Sequence, residues 1–348
     1  MRPIRLLVCS ALVLANAAAV DAQWLNLPTP GLPRLPDGKP DLTAPAPRMP
    51  DGKPDLSGLW SNDGGDRYYN NIAVDLATSD VAPWAHALFV QRQPEFAKNS
   101  METLCLPLGP AYLTTRYREF RIVQTSTLIV LAFNDGMHRE IFMDGRSLEE
   151  DPNPTWMGYS VGRWDSDVLV VESNGYTDRS WLDYGGHPHT EDLRITERYT
   201  RRNVGRIDVQ VTMLDPTAYL KPITFSMPIA LQADTEMLEA VCENHHASRE
   251  RMAATATAEV VQVPVASLSR YAGTYDTEGD GAKHVVDVTV EGADLLLEYD
   301  GKGTERLLAL SPTQFSWTGA IVEFSPGDGV MSISIHYVEG IERGARRK

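Results

Sequence analysis

The stretch His187-Pro188-His189-Thr190-Glu191 carries the most concentrated chemistry in the chain. Along an extended backbone, residues two apart share a face, so both imidazoles and the carboxylate would converge. His187, His189 and Glu191 then have the ligand types of a Zn, Fe or Mn site. Without a metal, His189 can act as acid or base near neutral pH, with Asp183 or Glu191 setting its tautomer. The metal-free use is the preferred expectation: cofactor-free lyase, isomerase, cyclase or hydrolase chemistry, with a divalent metal as the minority alternative. Gly185-Gly186 and Pro188 equally describe an ordinary loop.

Three further patterns invite a chemical reading. Gly158-Tyr159-Ser160-Val161-Gly162 spells the G-x-S-x-G of a nucleophile elbow, which requires a strand-to-helix turn. The residues that follow, Arg163-Trp164-Asp165-Ser166-Asp167-Val168, read as a turn and a strand, so close packing at the glycines is the better explanation. In an alternating strand Arg139 and Ile141 face away from His138 and Glu140, so one pair should enter a barrel lumen. There Arg139, with Asp144 and Arg146, could orient a polar ligand or simply close a hairpin. Aromatic residues with polar handles crowd residues 156–184 and suit a pocket for a flat or sugar-like molecule. The candidate ligand-binding residues are Arg139, Trp156, Tyr159, Trp181 and Tyr184.

Short strands and turns must position these groups. Residues 121–133 are β-branched and apolar, and residues 139–143 continue them after Asn134-Asp135-Gly136, which reads as a hairpin. Residues 156–164 with 168–172, and 193–199 with 206–214, form two more around Asp165-Ser166-Asp167 and Asn203-Val204-Gly205. Helix signals are confined to about 83–95 and 234–240. The expectation is a mainly β protein whose main domain, 58–246, is an antiparallel barrel. After a linker at 247–266, short strands at 284–290, 294–299, 305–310, 314–317, 320–324 and 331–337 imply a small barrel over 267–348. Ahead of both, residues 23–57 form a Pro/Gly-rich extended arm in which Pro-Asp-Gly-Lys-Pro-Asp-Leu occurs at 36–42 and again at 50–56.

The start of the chain reads as a signal peptide cleaved near Ala22: Arg2 and Arg5, an apolar run over 6–19, then Val20-Asp21-Ala22. The run is shorter than the ~20 residues of a bilayer-spanning helix, so no membrane span is expected. The expected location is periplasmic or secreted. Removing residues 1–22, with two arginines and one aspartate, takes the net charge from −15 to −16, which argues against a nucleic-acid partner. Cys105 and Cys242 remain, most simply as one disulfide in an oxidising compartment, with two buried thiols as the alternative.

Residues 267–348, through Leu268-Ser-Arg-Tyr-Ala-Gly-Thr-Tyr275, Leu310-Ser-Pro-Thr-Gln-Phe315 and Val322-Glu-Phe324, resemble the lipocalin-like barrel appended to secreted penicillin-binding-type serine hydrolases. Residues 50–244 resemble a widespread family of secreted bacterial proteins of unknown function. Pro50-Asp-Gly-Lys-Pro-Asp-Leu-Ser-Gly-Leu-Trp60, Cys105-Leu-Pro107, Arg139 with Asp144-Gly-Arg146, Pro154-Thr-Trp-Met-Gly-Tyr-Ser-Val-Gly-Arg-Trp164, His187 to Glu191, Glu197-Arg198, Asp215-Pro216 and Cys242-Glu-Asn244 carry that likeness. Neither resemblance implies a reaction. The combined expectation is an exported protein holding a small apolar, polycyclic or glycosidic molecule in an aromatic-lined, lipocalin-like barrel, with catalysis at His189 in question. A non-enzymatic envelope scaffold or ligand carrier is the competing class.

Overall fold

A computed structural model describes residues 27–63, 68, 71–92, 100–101, 104–113, 119–240, 261–279, 282–301, 304–317, 320–326, 330–336 and 341–347. The expected signal peptide, Cys242 and most of the 247–266 segment lie outside the described residues. The protein is mainly β, with two closed barrels. No helix among the described residues is long and apolar enough to cross a membrane.

The main barrel runs β1 (Gly58–Asn62), β2 (Glu119–Gln124), β3 (Leu128–Phe133), β4 (His138–Phe142), β5 (Tyr159–Asp165), β6 (Val168–Asn174), β7 (Arg194–Arg201), β8 (Arg206–Leu214) and β9 (Ile223–Leu231). It closes where Trp60 of β1 pairs with Leu231 of β9. Period-two alternation builds the core: Ile129, Leu131 and Phe133 of β3, Ile207, Val209, Val211 and Met213 of β8, and Phe225, Met227 and Ile229 of β9 are all buried.

Three details depart from the expected pattern. The run 121–133 is two strands, because Thr125 interrupts it: its Oγ1 accepts the Leu128 N–H at 3.0 Å and its own N–H bonds the Leu128 carbonyl. β4 and β5 pair in parallel, through Ile141–Ser160 and Phe142–Val161. Residues 143–158 form the longer crossover that a parallel pair needs. The helix expected at 83–95 is α1 (Pro83–Arg92), with Pro at its first position and 93–95 outside the described residues. The helix expected at 234–240 is absent. Asp234 there has φ +56, and both its backbone and its carboxylate are engaged by the N-terminal arm.

That arm is docked onto the barrel and folds as two like turns. In each copy an arginine precedes the Pro-Asp-Gly-Lys-Pro motif and donates to the carbonyl of its glycine: Arg34 to Gly38 at 2.9 Å, Arg48 to Gly52 at 2.7 Å. Short bridges close the turns, Arg34 with Pro40 and Arg48 with Pro54. The same arginines reach carboxylates of the barrel: Arg34 to Asp234 at 2.7 Å, and Arg48 to Asp167 in the β5–β6 turn at 2.6 Å. The arm ends with Leu56 buried and its carbonyl accepting the indole N–H of Trp60 at 3.0 Å.

The second barrel comprises β10 (Gly273–Gly279), β11 (Ala282–Glu291), β12 (Asp294–Tyr299), β13 (Thr304–Ala309), β14 (Gln314–Trp317), β15 (Ala320–Pro326), β16 (Met331–His336) and β17 (Ile341–Arg346), closing β10 on β17. Tyr271, Tyr275, Phe315 and Phe324, the aromatic residues of the resemblance motif, stack into its core.

Candidate functional site

Of the two pairs that strand alternation separates, Arg139 and Ile141 enter the lumen of the main barrel, and His138 and Glu140 stay exposed. Its partner comes from β7: Glu197 takes a two-pronged ion pair at 2.5 and 3.1 Å. The Arg139 Nε donates to Ser160 Oγ at 3.0 Å and Nη2 to Ser173 Oγ at 3.2 Å. Tyr176 donates to Ser173 at 2.9 Å, and Tyr199 donates to Glu197 at 2.6 Å. Burial works against the guanidinium charge, but Glu197 outweighs it and holds the Arg139 pKa above its usual value. Burial and the Glu197 charge push the Tyr199 phenol well up.

This arrangement corrects one reading and agrees with another, the strand preferred over a nucleophile elbow at Ser160. Arg139 does not join Asp144 and Arg146, which pair with each other at 2.7 Å in an exposed turn. Ser160 is a fully buried partner of Arg139 on a strand, with no helix behind it. The lumen is also largely filled. Beside the network, Tyr112, Phe120, Phe133, Met157 and Met227 leave a cavity of about 20 Å³. That is room for one water-sized group and far from the volume of a polycyclic guest.

The histidine stretch is a folded loop, and Asp183 organises it. Asp183 accepts the backbone N–H groups of Ile72 at 2.6 Å, Gly186 at 2.8 Å and His187 at 3.0 Å, and it pairs with His187 Nδ1 at 2.6 Å. The His187 ring stacks on Phe89 of α1 at 3.8 Å, and Arg92 of the same helix donates to the Gly186 carbonyl at 2.7 Å while lying over Trp181. Asp183 therefore serves His187, not His189 as expected. Glu191 is exposed, so His187, His189 and Glu191 do not converge on a metal. Among the described residues no cluster of three such ligands occurs.

His189 is buried with both nitrogens occupied: Nδ1 faces the Thr190 carbonyl at 2.8 Å and so carries the proton, and Nε2 faces Ser180 Oγ at 2.7 Å. The distance is that of a nucleophile to its base, a pairing the sequence reading missed, although the Thr177 carbonyl at 3.0 Å competes for the single Ser180 hydroxyl hydrogen. Both residues are enclosed, and Gly109 lies so close that a Cβ there would stand 2.9 Å from Ser180 Cβ. Burial lowers the His189 pKa below its ordinary 6.5. The unfolded chain then binds the proton more readily, so this ring's contribution to stability is fully present above pH 6.5 and is lost as pH falls below it. Urea titrations from pH 8 to pH 5 should show a shallower loss of stability in His189→Gln than in the parent; equal slopes would refute the assignment.

The remaining aromatic candidates do not all share one cavity. Tyr159 faces outward, against Phe142 at 5.5 Å and Arg146, and Trp156 lies under Arg179. Trp181 and Tyr184 line a separate void of about 10 Å³.

A ligand-sized space does occur, at one end of the main barrel. Residues 150–154, the end of β6, residues 191–194 and the β8–β9 connection enclose a cleft of about 660 Å³. Glu191 belongs to its wall, and Thr190 links it to the histidine loop by donating to Asp215, also in the wall, at 2.6 and 3.0 Å. Tyr219 of the cleft donates to the Pro188 carbonyl at 2.8 Å, and Leu220 stands largely exposed on the cleft wall.

Glu197, Ser180 and Asn174 are the residues that sequence reasoning missed. Only Glu197 left a signal: alternation places it inward with Ile195 and Tyr199, so a carboxylate occupies a core position. Compared with known proteins, the chain matches no family model and no curated protein.

Proposed function

We propose that this is an exported, periplasmic or secreted, small-molecule-binding protein whose ligand occupies the cleft at the end of the main barrel. The observation that carries the reading is the cleft's volume of about 660 Å³, against about 20 Å³ in the lumen. Small-molecule sites are typically of the cleft's size and not of the lumen's. The N-terminal pattern supports export, and a Cys105–Cys242 disulfide belongs to the same proposal. The acidic composition speaks against a nucleic-acid partner. In this reading the Arg139–Glu197 network and the Asp183–His187 loop form the rigid frame that holds the cleft walls.

Leu220 is 68% exposed on the cleft wall, so a larger side chain there fills the space without disturbing the core. Purified residues 23–348 would be screened by thermal shift against neutral, cationic and anionic small molecules, beside Leu220→Trp. A compound that stabilises the parent and not the variant supports the reading. If no compound stabilises the parent, or both respond alike, the cleft is not the site and the scaffold alternative stands.

Catalysis is a second reading, favoured by the Ser180–His189 contact: a cofactor-free hydrolase with His189 as base. It requires the turn at Gly109–Leu113 to move off Ser180. Labelling of Ser180 by a fluorophosphonate would support it, and an unlabelled Ser180 would remove it.

A further inference from the structure

We infer that the cleft takes a small organic cation with N–H donors, a protonated alkyl amine or diamine, recognised by Asn174; this rests on the reading of the cleft as a ligand site. Asn174 ends β6 in the cleft wall and is only 3% exposed. Its amide nitrogen donates to the Glu149 carbonyl at 2.7 Å, which fixes the orientation of the side chain. The amide oxygen is buried and has no hydrogen-bond partner among the described residues. A buried acceptor left without a donor is costly, and a ligand N–H would supply one once the 149–154 segment of the wall, which covers Asn174, shifts to admit it.

The charge around it selects among donors. Glu150, Asp151, Glu191, Asp192 and Asp215 line the cleft, against Arg194 and Lys221. Lys221 is already matched by Asp80 at 2.9 Å. Asp215 is committed to the N–H groups of Thr190, Thr217 and Ala218, so it contributes charge without a free oxygen edge. The balance is negative, which favours a cation over a neutral polyol and disfavours an anion. Leu214, Leu220 and the cleft prolines offer apolar contact to an alkyl chain.

The test uses 1,4-diaminobutane on residues 23–348 by titration calorimetry at pH 7 and 0.15 M salt, with glucose and glutarate as neutral and anionic controls. One saturable site for the diamine alone is expected, weakened tenfold or more in Asn174→Leu. Should that variant fail to fold, Glu191→Gln combined with Asp192→Asn alters only exposed groups and should weaken binding as well. Absent or non-saturable diamine binding overturns the inference, as does binding that these variants leave unchanged. If Leu220→Trp abolishes binding of a neutral or anionic compound instead, the cleft remains a ligand site and the cation is wrong. If no compound depends on Leu220, the site itself is wrong.

Discussion

Arg139→Met should lower folding stability by about 3–5 kcal/mol, because it strands the Glu197 carboxylate in the barrel lumen without its counter-charge. Glu197→Leu should cost a similar amount, stranding the guanidinium. The double variant should cost less than either single change, since no buried charge is left behind and side chains of comparable volume fill the space. Urea denaturation of the four proteins measures all three terms. Additive losses would mean that the pair is not a unit, and a loss below about 1 kcal/mol for Arg139→Met would mean that water reaches the lumen and screens Glu197.

Asp183→Ala should also be severe. It leaves the N–H groups of Ile72, Gly186 and His187 without their acceptor in a buried loop, and it frees the His187 ring. Each donor that water cannot reach costs about 1–3 kcal/mol. Glu191 stands on the exposed side of the same loop. A change there that touches no buried group, Glu191→Gln, should alter stability by no more than about 0.5 kcal/mol. The two carboxylates lie eight positions apart in a motif that invited one role for both, so the contrast separates frame from cleft wall. Comparable stability in Asp183→Ala and the parent by urea denaturation would refute the structural role.

What could be read from the residues was local. Alternation separated Arg139 and Ile141 from His138 and Glu140 without saying which pair faces inward, and turn residues at 134–136, 165–167 and 203–205 marked the loops that join β3 to β4, β5 to β6 and β7 to β8. What could not be read was pairing across the lumen. Glu197 meets Arg139 only because β5 and β6 stand between β4 and β7 around a closed barrel, and that register is set by tertiary packing. The histidine motif misled for a related reason. The two-apart rule holds on a strand, but here Asp183 gathers three backbone N–H groups and turns the chain, so His187 and His189 have different neighbours. Likewise the aromatics of 156–184 are close in sequence yet divided between the outer face and separate packing sites.

Because the main barrel closes its first strand on its ninth, and Arg34 and Thr29 clasp Asp234 just beyond that ninth strand, completion of the structure waits for contacts some 200 residues apart. Closing so long a segment is entropically slow, and until it happens β1 and β9 each present an unpaired edge. A chain emerging from its N-terminus therefore holds the first part of its arm, around Thr29 and Arg34, without its seat until residue 234 has followed, and a truncation before β9 would be expected to aggregate through those edges.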